Sequence, residues 1–134
     1  MNEEAARSWI MRAEHDFTIA LRDMEYATPT TDMVCFHMQQ AAEKYLKAFL
    51  VFHGREYPRT HRLEVVIQFC GEVDPAFYHL HELGVDDLSR YATTMRYGES
   101  AYMPSLEETK RAMELAQKAK EFVLQKLRQQ GFEP

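Results

Sequence analysis

The stretch from Asp32 to His53, DMVCFHMQQAAEKYLKAFLVFH, decides the fold. Val34, Cys35, Met38, Ala41, Ala42, Tyr45, Leu46, Phe49 and Leu50 recur in it at helical spacing. An apolar face this broad predicts a central helix, covered from more than one side. Thr31 is placed to cap its start and Asp32 puts negative charge in the first turn. Gly54 supplies the residue that ends it.

Upstream, Glu3 to Tyr26 carries Trp9, Ile10, Ala13, Phe17, Ala20, Leu21 and Met24 in steps of three and four. That spacing predicts an amphipathic helix with Arg12, Asp16, Arg22 and Asp23 on its outer face, broken by Ala27 to Thr31. Downstream, Thr60 is placed to cap a short helix with Leu63, Val66, Ile67 and Cys70 inward, ended by Gly71. Asp74-Pro75 opens a fourth helix through Phe77, Leu80, Leu83, Leu88, Tyr91, Ala92 and Met95. Gly84 inside it marks a kink or a break. Ser105-x-x-Glu108 is a capping box that opens the fifth helix, with Ala112, Leu115, Ala119, Phe122 and Leu127 inward. The tail Gln129 to Pro134 is expected to fray. No segment alternates with a period of two. The class is all-α, an antiparallel up-and-down bundle of four long helices plus one short helix.

At 134 residues the chain makes one domain, 1–134, with its core over about residues 5–127. A hydrophobic share of 46% supports a packed core. Gly and Pro number only 5 each, against a turn-rich sandwich or barrel. The net charge of −5 disfavours general coating of duplex DNA, while a local basic stripe stays open. Cys35 and Cys70 lie in apolar runs and read as reduced core thiols, which points to the cytoplasm. No run is long enough for a membrane span, and the N-terminus has no secretory pattern.

His37, Gln40, Lys44 and Lys47 follow one another at three, four and three residues and share one helix face. Two readings fit: a solvated polar stripe, or a groove in which the lysines take phosphate oxygens while His and Gln bond a base or ribose. Arg96-Tyr97 offers a bidentate phosphate contact beside a stacking ring. Equally, it fits an Arg on the helix dipole next to a half-buried Tyr. The 6 histidines show no H-E-x-x-H or E-x-x-H spacing, and there is no Cys-x-x-Cys, so no metal site is expected. No Gly-rich phosphate loop or G-x-S-x-G is present, and no cofactor is expected.

The run from Cys35 to Ala48, CFHMQQAAEKYLKA, resembles the hallmark helix of the HEPN domain family. Gly54 with Pro58-Arg59-Thr60-His61-Arg62-Leu63 resembles that family's "G…P-x-T-H-x-L" connection. Arg96-Tyr97 resembles its "R-Y-P" element, with Gly98 where Pro is usual, and Trp9…Ala13-Glu14-His15-Asp16 resembles its "W…A-x-x-D" start. The resemblance implies a helical bundle, usually dimeric, often paired with a separate minimal nucleotidyltransferase in a toxin–antitoxin-like system. It also implies nucleotide binding, with His37, Gln40, Lys44, Lys47, His61, Arg96 and Tyr97 as the site residues.

Ribonuclease branches of the family place His a few residues after Arg. Neither Arg90 nor Arg96 has a downstream His, and Tyr102 stands where it would fall after Arg96. A phenol, with a pKa near ~10, is a poor general base at neutral pH. Arg55 and His61 match the spacing, but in a loop where the motif is not expected. The leading expectation is therefore a nucleotide-binding homodimer that partners a minimal nucleotidyltransferase. The alternatives are a metal-independent ribonuclease at a dimer interface, with Arg96 on the phosphate and His37 or His61 moving the proton, and a helical adaptor that takes no ligand.

Overall fold

The computed structural model describes residues 1–92 and 102–134. Every regular element among them is helical: α1 (Glu3–Met24), α2 (Thr31–Phe52), α3 (Leu63–Val73), α4 (His79–Leu83) and α5 (Leu106–Gln129). Two 3₁₀ turns, Pro75–Tyr78 and Val85–Ser89, flank α4. Arg96, Tyr97, Met95 and Gly98 lie outside the described residues.

Fully buried Leu46, Phe52 and Tyr45 confirm α2 as the central helix. Helix α1 runs antiparallel to it, since the Asn2 amide meets the Phe52 carbonyl at 3.1 Å and the Thr30 amide meets Asp23 at 2.6 Å. Ala6, Ala13 and Ala20 are fully buried and let the two backbones approach closely. Helix α5 runs parallel to α2: Cys35 meets Thr109 at one end and Phe52 meets Phe132 at the other. The chain reaches that arrangement by returning through residues 75–92, as an up-and-down order requires. Both cysteines are free and buried. Burial pushes both thiols above their usual pKa.

Three local expectations are corrected, and the alternative left open at Gly84 is resolved. Thr30, not Thr31, precedes the first turn of α2, and its hydroxyl is turned back to Asp23. Helix α3 continues past Gly71 to Val73, and the glycine is needed for packing rather than for ending the helix: the Tyr78 ring lies over it where a side chain would otherwise stand. The fourth long helix is broken at Gly84, whose φ of 86° is left-handed and readily adopted by glycine. The tail does not fray. Gly131, at φ 81°, turns the chain so that the Phe132 amide bonds the Leu127 carbonyl at 3.1 Å and the Gly131 amide bonds Arg128 at 2.9 Å. Phe132 is then buried against Phe52, with the Arg7 guanidinium over its ring.

Helix α5 begins as its capping box predicts, with the Glu108 amide donating to Ser105 Oγ at 3.0 Å. Its inward face includes Ala116 and Val123 beside the expected residues, while Phe122 is only partly buried. Leu21, read as inward on α1, is 48% exposed, and Asp16, read as outward, is 6% exposed. The α1 stripe is thus rotated toward α2 from the position its hydrophobicity alone suggests.

Candidate functional site

The polar stripe of α2 divides between two buried carboxylates. Asp16 of α1 accepts from Lys44 Nζ at 2.7 Å through Oδ2 and meets His37 Nδ1 at 2.8 Å through Oδ1. Glu43 of α2 accepts from Lys47 Nζ at 2.7 Å through Oε2 and meets His61 Nδ1 at 2.9 Å through Oε1. The two units share one plan: a carboxylate, a lysine on one oxygen and an imidazole on the other. Asp16, Glu43 and Lys47 are nearly inaccessible at 6%, 3% and 6%. Buried charges of this kind persist only when paired and hydrogen-bonded.

Helical geometry explains the pairing. Glu43 and Lys47 are one turn apart on α2, and His37 and Lys44 are two turns apart, so each pair projects on one side. Asp16 reaches the second pair because α1 packs antiparallel. His61 reaches Glu43 because the loop after α2 returns along that helix. Gln39, fully buried, donates to Glu43 Oε1 at 3.0 Å and to the His61 carbonyl at 3.0 Å. Gln40 donates to the side-chain oxygen of Gln39 at 2.5 Å and so belongs to the Glu43 unit.

The lysines of the stripe are therefore engaged. Each imidazole keeps some access to solvent: His37 has 18% of its side chain exposed and His61 has 55%. A carboxylate on Nδ1 favours the tautomer whose Nε2 presents a lone pair. His37 also forms part of the wall of a pocket of about 220 Å³ lined by Ile19, Ala20, Asp23, Thr30, Met33 and Val34. Around the other unit, the Trp9 and Tyr57 rings meet edge to face at 5.3 Å, with Lys47 Nζ 5.0 Å from the Tyr57 centroid.

A separate cluster stands at the start of α5. Glu108 accepts from Tyr91 at 2.6 Å and Tyr102 at 2.5 Å, with Arg90 at 3.3 Å. Burial acts to raise the Glu108 pKa, but the phenol hydrogen bonds, Arg90 and the Ser105 amide outweigh it and hold it low. Burial and the Glu108 contact push the Tyr91 phenol up.

Of the residues read from sequence, the structure brings His37 and Lys44 to one carboxylate, and Lys47 and His61 to the other, which Gln40 reaches only through Gln39. Arg96 and Tyr97 fall outside the described residues. The sequence reading missed the two carboxylates that organise the site. One signal was available: Asp16 lies between Ala13, Phe17 and Ala20 at inward spacing, and Glu43 lies one turn before Lys47 in an otherwise apolar helix. Among the described residues no group of three His, Cys, Asp or Glu side chains is placed to hold a metal ion, and no helix is long and apolar enough to cross a membrane.

Comparison of the chain with curated proteins and with solved structures gives no match. A family model described as the HEPN domain matches residues 6–127. The match takes in both carboxylates, both imidazoles and both lysines, and the chain belongs to the HEPN domain family.

Proposed function

We propose that this protein is a nucleotide-binding module that serves as the partner subunit of a minimal nucleotidyltransferase, as a homodimer, in a two-component pair of the toxin–antitoxin kind. The observation that carries the nucleotide reading is His37 in the wall of the 220 Å³ pocket, its Nδ1 committed to Asp16. A mostly apolar hollow with a few fixed polar groups is the usual form of a small-ligand site. Ile19, Ala20, Met33 and Val34 offer apolar surface to a base or ribose, and His37 Nε2 offers a hydrogen bond of fixed direction. Lys44, still 23% exposed while bound to Asp16, is the nearby cation for a phosphate. The cytoplasm is the compartment we propose, on the two free buried cysteines.

Titration of the purified protein with the common ribonucleotides tests this reading. Saturable binding that His37→Ala and Lys44→Ala weaken supports it, and unchanged affinity in both variants removes it. The partner is tested by co-purification from the native host: a stoichiometric small nucleotidyltransferase supports the pairing, and the protein alone counts against it.

A second reading, metal-independent RNA cleavage at a dimer interface, is favoured by the Glu43–His61 pair. A buried carboxylate on Nδ1 of a half-exposed imidazole is an arrangement suited to moving a proton. RNA that stays intact in chelator with the purified protein removes this reading.

A further inference from the structure

We infer that the loop joining α2 to α3, residues 53–62, is a docking surface for an acidic peptide segment of another protein. This goes beyond the nucleotide reading and does not depend on it. The loop holds Arg55, Arg59 and Arg62 against one acid, Glu56, in a chain whose net charge is −5. Arg55 and Arg59 are exposed, and neither makes an ion pair or side-chain hydrogen bond among the described residues. Arg62 has one contact, to Glu64 at 3.5 Å, with 68% of its own side chain exposed. Surface pairs of that kind are weak and exchange readily.

The loop is also held in shape. The Arg55 amide bonds the Leu50 carbonyl at 2.9 Å and the His61 carbonyl accepts from Gln39 at 3.0 Å, so both ends are fixed to α2. Between them Tyr57 packs edge-on against Trp9. A surface ordered before it binds loses less entropy on binding.

The same rings decide the class of ligand. The Trp9 ring already carries the Arg12 guanidinium at 4.6 Å and the Lys47 ammonium at 5.7 Å, and Lys47 also covers Tyr57. Each ring thus already has a cation against it, whereas single-stranded nucleic acid relies on stacking bases on free aromatic faces. Carboxylates on a short peptide complement the three arginines in charge, and arginine grips them through paired hydrogen bonds.

The test uses the full chain, a short fluorescein-labelled Asp/Glu peptide, and a single-stranded RNA of equal charge. Binding is read by anisotropy and located by amide shifts in ¹⁵N spectra. The expected result is tighter binding of the peptide than of the RNA, with shifts gathered in residues 55–62 and at the Trp9 indole. R55E/R59E should lower peptide affinity by about tenfold or more with an unchanged melting temperature, and R22E/R128E, at exposed sites elsewhere, should leave it unaltered. Tighter binding of the RNA, shifts centred elsewhere, peptide affinity indifferent to R55E/R59E, or no binding of the peptide would each overturn the inference.

Discussion

The Lys44 ammonium lies 2.7 Å from Oδ2 of Asp16, a residue only 6% exposed. The ion pair joins the two helices of the main antiparallel contact, and His37 occupies the other carboxylate oxygen. Asp16→Ala should therefore leave two partners unsatisfied. The expected loss is about 2–3 kcal/mol, below the ~3–5 kcal/mol of a fully buried pair because Lys44 reaches solvent. Urea denaturation of the variant at neutral pH measures it.

Glu43 and Lys47 make the stricter case, since both are nearly inaccessible. Glu43→Ala alone is expected to cost about 3–4 kcal/mol by leaving the Lys47 ammonium buried and uncompensated. Lys47→Met combined with Glu43→Leu should recover most of that stability, because matched apolar side chains need no desolvation of charge. Urea denaturation of the single and double variants side by side decides this, and a double variant as unstable as Glu43→Ala would refute it.

Phe132 turns the tail into part of the core. Phe132→Ala should cost about 3 kcal/mol, at the low end for a buried aromatic because the site lies at the bundle's end. Gly131→Ala should cost about 1 kcal/mol through its left-handed backbone alone. Thermal melts of both variants test the pinned tail, and a frayed tail would leave both melting temperatures unchanged.

Stability should fall in two stages as pH is lowered. Burial, with Arg55 nearby, lowers the His53 pKa from its ordinary 6.5. The unfolded chain therefore takes up the proton first, and stability is lost as pH falls below about 6.5 toward the folded value. The Lys126 hydrogen bond lowers Asp74 from 3.8, and the phenols and Arg90, acting against burial, lower Glu108 from 4.5. Their contributions are present above those values and are lost below them. His53→Gln should remove the first stage and keep the second, as read from denaturation midpoints across pH.

Much of this fold was legible from spacing. The inward set of α2, from Val34 to Leu50, is buried as read, and the Ser105 cap and Gly84 are sequence signals with local causes. What spacing did not reveal was where charge goes. Asp16 reads as a solvent residue until α1 is packed on α2 and Lys44 comes within reach. Likewise His61 lies 18 residues from Glu43, and only the returning loop brings them together. The stripe on α2 was visible, but its neutralisation was not, because counter-charges from other segments are set by tertiary packing. Phe132 was missed for a related reason: a lone aromatic after a Gly carries no periodicity.

The division of cations into buried pairs and open arginines makes ionic strength a selective agent on this protein. At molar salt the Debye length shrinks to about 3 Å, which screens exposed groups such as Arg55 and Arg59 but acts little on pairs shut away from solvent. Lys47 keeps Glu43 under those conditions, and the bundle stays folded. Concentrated salt should thus strip anionic passengers from the surface while leaving the interior charges in place.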